Sequence, residues 1–120
     1  MRGGLALFEK MGKRDNVKGG ALTEVTFLIL LALYKPRHGY AIMQFVEEKT
    51  CGRVVLGAGT LYGAIESLSK KGLIALYDDT DSRKKEYLIT DQGKEVAKRE
   101  LKKIEGILVV ANEIMGGKNI

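Results

Sequence analysis

Few residues of this chain belong to types that carry out covalent or metal chemistry. Among 120 residues there is one cysteine, Cys51, and one histidine, His38. A zinc site needs three or four such ligands, so this pair cannot build one. No third group marks them as a nucleophile and its base. Asp78, Asp79 and Asp81 crowd one turn. That turn lacks the glycine and the distant glutamate of a calcium-binding loop, so a solvated turn is the better reading. The segment GAGTLYG, residues 57–63, is the main imitation of a site. It follows a stretch, Arg53–Leu56, that reads as a short strand, and it opens a helix. A second strand then ends at Asp78 and Asp79, in the manner of a dinucleotide-binding fingerprint. Its spacing is GxGxxxG rather than GxGxxG, and no further strand–helix units follow to extend a parallel sheet. The expectation is a protein without catalytic residues, metal or cofactor, a dinucleotide-binding protein using GAGTLYG being the minor alternative.

The chemistry that remains is contact with phosphate. The chain has 20 basic and 15 acidic side chains, a net charge of +5. Residues 1–20 account for +3, residues 21–90 for +1 and residues 91–120 for +1. The middle of the chain is therefore not basic overall. Its positive charge is clustered in Arg83, Lys84 and Lys85, and clustering is what gives an electrostatic footprint for a polyanion. These three sit in a charged turn between two strand-like runs, Leu73–Tyr77 and Glu86–Ile89. A helix-like run from Ala58 to Lys71 precedes them. A helix followed by a basic hairpin is the layout of a winged helix-turn-helix, whose partner is duplex DNA. Wing cations would fix register on the phosphates without reading sequence, and the tip could enter a minor groove.

Within the helix, Leu61, Ile65 and Leu68 share one stripe and face the core. Thr60, Tyr62, Gly63, Ser67 and Lys70 are left to face outward or to flank that stripe. A tyrosine hydroxyl can bond a phosphate, and its ring can pack on a thymine methyl. Gly63 serves either close approach of the backbone to DNA or close helix packing; the spacing does not separate these. Gly72 is placed to close the helix as its C′ residue.

The other elements follow from caps and periodicity. Thr23 caps a first helix running to Tyr34, apolar almost all round and so expected to be buried. Pro36 stops it. A second helix starts near Gly39, with Ile42, Phe45 and Val46 inward, and ends before Gly52. Thr90 caps a long last helix from Asp91 to about Met115. In it Ala97, Leu101, Ile104, Leu108, Ala111 and Met115 alternate four and three, a heptad seam, with Ile107, Val110 and Ile114 as a second stripe. A small domain cannot cover so wide an apolar face at its own terminus, which predicts self-association.

The runs LTEVTFLILLALYKPRHGYAIMQFVEE, LGAGTLYGAIESLSKKGLI and DSRKKEYLITDQGKE, in that order, resemble the PadR family of transcriptional regulators over roughly residues 21–100. The final helix is short, as in the smaller PadR-like proteins. The resemblance implies a mostly α fold with a small β-hairpin. The expected division is an arm, flexible or not, at residues 1–20, a winged helix-turn-helix DNA-binding domain at 21–90 and a C-terminal dimerisation helix at 91–120. It implies a homodimer on promoter DNA, acting as a repressor released by a small, often aromatic, effector. By position it adds Tyr40 and Tyr87, and makes Thr60, Tyr62 and Gly63 part of the recognition-helix motif, beside Gly59. With Ser67, Lys70, Arg83, Lys84 and Lys85, these and Tyr40 are the expected DNA contacts. Ala58 stands where the family commonly has proline, and Ser69 where glutamate is common. The chain has no tryptophan, so the stacking of flat ligands on a last-helix tryptophan cannot be carried over.

No apolar run reaches the ~18 residues of a membrane span, and the first twenty residues lack the apolar core of a signal peptide. With a single thiol, these features predict a cytoplasmic protein. A winged helix used only for protein–protein contacts remains the reading of a different class, and it would lack salt-sensitive DNA binding.

Overall fold

In the computed structural model, residues 22–78 and 84–116 are described. Expectations for the arm at residues 1–20, for Asp79 and Asp81, and for Arg83 lie outside them.

Helix α1 spans Glu24–Ala32. The Thr23 side chain accepts the Thr26 N–H at 3.1 Å and donates to the Thr26 hydroxyl at 2.8 Å, so the predicted cap is in place. The helix stops two residues before Tyr34. The N–H groups of Leu33 and Tyr34 turn back to the Leu30 and Leu31 carbonyls, and Arg37 Nε donates to the Ala32 carbonyl at 2.7 Å. Ile29, Leu30 and Ala32 are buried, but Leu31 is exposed. The helix is therefore covered on one side only, although its sequence is apolar all round.

A two-residue strand β1, Arg37–His38, precedes α2, Gly39–Lys49. It is too short to show any alternation and the sequence reading missed it. His38 Nδ1 accepts the Ala41 N–H at 3.4 Å and so starts α2. Ile42 and Val46 are buried, while Phe45 is half-buried beneath the Arg37 guanidinium, 4.7 Å from its ring centre.

The strand expected at Arg53–Leu56 does not form. The Val54 N–H is taken by the Thr50 hydroxyl at 3.0 Å, Arg53 pairs with Glu24 at the start of α1, and Leu56 is buried. Side-chain bonding of this kind competes with strand formation.

Helix α3 spans Ala58–Lys70. Its end is a Schellman closure: Leu73 N–H bonds the Leu68 carbonyl and Gly72 N–H the Ser69 carbonyl, both at 3.0 Å. Gly72 has φ +75°, the left-handed region that favours glycine. Strands β2, Ile74–Asp78, and β3, Glu86–Ile89, follow. The sheet is antiparallel in the order β1-β3-β2, with Ile74 opposite Ile89 and Leu76 opposite Tyr87. The ladder is irregular between Leu76 and Asp78.

Helix α4 spans Asp91–Ile114. The Thr90 hydroxyl accepts the Gly93 N–H at 3.0 Å and donates to the Gly72 carbonyl at 2.7 Å; the Thr90 N–H reaches the Leu73 carbonyl at 3.0 Å. One residue thus ties the end of α3, the sheet and the start of α4. Gly93 presses on this junction so closely that a Cβ there would overlap the Leu73 carbonyl oxygen and lie 2.7 Å from Ile89 Cγ1. The core joins Ile29, Leu30 and Leu33 of α1 and its cap to Ile42 and Val46 of α2, Leu61, Ile65 and Leu68 of α3, Ile74 and Ile89 of the sheet, and Val96 of α4. From Leu101 to Val110 every residue of α4 is exposed. The last helix leaves the body that its first turns anchor.

Candidate nucleic-acid interface

The placement of α3 is set by its buried stripe. Leu61, Ile65 and Leu68 pin one face to the core. The line directly opposite, at spacings of four, three and four, is Gly59, Gly63, Glu66 and Lys70, all exposed. Thr60 and Ser67 flank this line on one side, also exposed, and Tyr62 flanks it on the other. The expected contacts of α3 therefore share one accessible surface.

Two of these positions carry no side chain. A Cβ added at Gly59 or at Gly63 would meet nothing within 4 Å. Intrachain packing thus gives no reason for Gly63, one of the two uses the sequence left open for it. The N-terminus of α3 is bare as well. Thr23, His38 and Thr90 cap the other three helices through their side chains, whereas α3 begins at Gly57 with no side-chain cap. Its first N–H groups are left to solvent or to a ligand.

Tyr62 does two things. The residue is 53% exposed, and its hydroxyl lies so near Gly39 that a Cβ there would overlap it. It therefore packs across the first turn of α2 while keeping an edge beside the outer line of α3. Tyr40, in that same first turn, is exposed. The close approach of α3 to α2 at Gly39 thus sets Tyr62 against the turn that carries Tyr40.

Farther along α3, Lys70 Nζ lies 3.7 Å from Glu66 Oε2, one helical turn back. A shallow depression of about 280 Å³ runs between Gly63, Glu66, Ser67, Lys70 and Lys71. Glu66 was not among the residues expected from sequence. The signal was present in the spacing from Gly59 through Gly63 to Lys70, but a lone acid on a helix surface is ordinarily a solvated one.

The wing is described on both strands. Lys84 and Lys85 are exposed beside β3. Tyr87 of β3 is partly buried against the core and lies between Arg37 and Leu76 in the sheet. It therefore supports the hairpin rather than its outer surface.

Among the titrating groups of the described residues, Glu24 and Arg53 shift. The hydrogen bond from Arg53 holds the Glu24 carboxyl below its ordinary value, and Glu24 raises Arg53 in return. Both are exposed, so the pair steers the α2–α3 connection onto α1 and adds little stability.

Along α4, Leu101, Ile104 and Leu108 are about half exposed, at 50%, 43% and 53%, and Met115 is more open still. Ile107, Val110 and Ile114 widen the open face. Ala111 is half-covered. Ala97 differs, being 3% exposed and already covered within its own chain. The open part of the seam therefore starts at Leu101.

Among the described residues no group of three or more His, Cys, Asp or Glu side chains could hold a metal ion, and His38 is occupied as a helix cap. GAGTLYG does open a helix, but no strand leads into it and the sheet is antiparallel, so the dinucleotide reading loses its framework. No described helix is long and apolar enough to cross a membrane.

The family described as "Transcriptional regulator PadR-like family" matches residues 27–99. An uncharacterised protein X of Lysinibacillus sphaericus is 33% identical over 84 residues, which cover 68% of this chain and 75% of that protein. An uncharacterised 37.1 kDa protein of transposon TN4556 from Streptomyces fradiae is 36% identical over 78 residues, covering 64% of this chain. The chain spans only 22% of that relative's length. A PadR family transcription regulator of Clostridium difficile superposes with a TM-score of 0.65 at 26% identity, covering 78% of this chain and 99% of its own.

Proposed function

The chain belongs to the PadR-like family of transcriptional regulators, and from that premise we propose that it is a dimeric repressor that seats α3 in the major groove of a promoter operator. The observation that carries this reading is the outer line of α3. Two glycines stand where packing asks for none, and at Gly63, inside the helix, glycine costs roughly 1 kcal/mol relative to alanine. A bare helix face lets the backbone sink close to base edges. Lys70 stands on it, Thr60, Ser67 and Tyr62 flank it, and Tyr40, Lys84 and Lys85 are exposed on neighbouring elements. The cations hold register on the phosphates, and the α3 face reads sequence.

The open seam of α4 supports pairing of two copies, with Leu101, Ile104, Leu108, Ala111 and Met115 as the interface beyond Ala97. A two-fold dimer calls for a pseudo-palindromic operator with half-sites about one helical turn, roughly 34–36 Å, apart. For release by a small effector, the cleft between the end of α1 and α2 is the favoured place. It encloses about 460 Å³, within the usual range for small-molecule sites. Tyr34 offers an aromatic wall, Phe45 lies beneath Arg37, and Lys35, Arg37 and Lys49 outnumber the one carboxylate of Glu48. A flat, negatively charged aromatic molecule suits that lining.

The test is footprinting on the DNA upstream of the protein's own gene, paired with binding isotherms at several salt concentrations. A protected pseudo-palindrome with salt-sensitive affinity is expected. Absence of any protected sequence, with salt-independent binding to other proteins, would instead support a protein-interaction module.

A further inference from the structure

On the outer line of α3, Glu66 is the first side chain that carries a functional group, because Gly59 and Gly63 precede it. We propose that Glu66 and Lys70 together select a C·G base pair in each operator half-site. The Glu66 carboxylate accepts from cytosine N4, and the Lys70 ammonium donates to the paired guanine. This deepens the operator reading above and rests on it.

A carboxylate brought toward phosphates is repelled unless it finds a donor. Two kinds of base-edge donor face the major groove, cytosine N4 and adenine N6. Adenine sets its N7 acceptor beside N6, which meets a carboxylate with like polarity. An A·T pair also sets its donor beside an acceptor, thymine O4, but crowds N6 with N7 and O4 with the thymine methyl; a C·G pair leaves the far side of the cytosine donor nonpolar and offers the ammonium guanine O6 and N7 together. Glu66 Oε2 and Lys70 Nζ, 3.7 Å apart, present an acceptor and a donor side by side, the complement of that edge. The depression shared with Gly63, Ser67 and Lys71 leaves room for the edge to enter. Folding does not need the pair. Both side chains are more than two-thirds exposed, and an exposed pair one turn apart contributes little to stability. Glu66 also lowers the positive charge of the face and so weakens attachment to unrelated DNA, which sharpens the contrast between right and wrong sites.

The experiment selects binding sites from a randomised duplex pool with the full-length protein, then measures affinities for matched duplexes. Wild-type protein should enrich C·G at one position per half-site, and changing that pair to T·A should weaken binding by roughly 5- to 100-fold. Glu66→Gln should shift the preference at that position to adenine, since an amide can bond N6 and N7 together. Glu66→Ala should weaken the preference there alone, down to what the Lys70–guanine contact supplies, and bind unrelated duplexes more tightly. Both variants should melt with the wild type. If both select the wild-type base at every position, the inference is wrong and the ion pair is an ordinary helix-surface contact. If the wild-type protein itself selects no sequence, the operator reading falls and takes this inference with it.

Discussion

Replacing Gly63 with alanine should make the protein more stable and a worse DNA binder. The perturbation is one methyl group on the middle of α3. It would meet nothing within 4 Å in the folded chain, so no packing penalty offsets the gain in helix propensity. That gain is roughly 0.8–1 kcal/mol for glycine to alanine in a helix interior. At roughly 4 °C per kcal/mol for a domain of this size, Tm should rise by about 3–4 °C. Against DNA the sign reverses. With α3 seated in the groove as proposed, the methyl would stand on the line facing the bases and hold the backbone off their edges. Loss of one good base contact, ~1–3 kcal/mol, would weaken specific binding by about tenfold or more. Gly106→Ala is the control. It lies mid-helix in α4, opposite the Leu101–Ile104–Leu108 seam, and its Cβ too would meet nothing within 4 Å. It should stabilise by a similar amount and leave binding unchanged. Melting curves and fluorescence anisotropy with a labelled operator read both effects. A Gly63→Ala protein that gains stability and binds as tightly as wild type would refute the close-approach argument; one that loses stability would refute the open-face geometry.

Gly93→Ala should behave oppositely, destabilising by about 2–3 kcal/mol in denaturant melts, because its Cβ would overlap the backbone at Leu73. Leu101→Asp with Leu108→Asp should yield a folded monomer by sedimentation; a double variant that stays dimeric would remove α4 from the interface. Lys84→Ala with Lys85→Ala should flatten the slope of log affinity against log salt by about two per subunit if both touch phosphate. An unchanged slope would place the wing away from DNA. The Glu24 carboxyl is depressed in the folded protein by Arg53. Its contribution is present above the ordinary carboxylate pKa and lost as pH falls through the lower folded value. Glu24→Gln should therefore reduce the acid-side loss of stability slightly, and less so in high salt.

How far the sequence spoke depended on whether a feature was local. The caps at Thr23 and Thr90 and the left-handed Gly72 are decided within a few residues, and all three stand where the pattern puts them. The stripe Leu61–Ile65–Leu68 was legible because burial repeats with the helix period. The failures came from partners distant in the chain. Arg53–Leu56 looks like a strand until the Thr50 hydroxyl takes the Val54 N–H and Arg53 reaches Glu24. Strand β1 exists through its pairing with β3, which two residues cannot announce. The packing of Tyr62 on Gly39 joins two helices. The heptad seam runs unbroken from Ala97, buried within the chain, to Leu101, exposed beyond it, so periodicity alone could not mark where the free face starts.

The charge distribution and the shape of α3 bear on one another. Residues 21–90 carry a net charge of only +1, so general attraction to DNA is a weak source of affinity for the winged domain. A helix with two bare positions gains contact by approaching closely, but it also offers few side chains to hold on with. Such a domain is poorly suited to bind as a single copy. Joining two of them through α4, as proposed, would make the second half-site contact intramolecular, and a linkage of suitable geometry can raise affinity by about 10²–10⁴ without any new contact to DNA. The exposed stripe on α4 and the bare face of α3 are then two parts of one arrangement. The weaker each half-site grip, the more the operator is held by spacing and symmetry. An effector in the cleft between α1 and α2 would then need to change only the separation of the two α3 helices, leaving each reading face intact, to release the DNA.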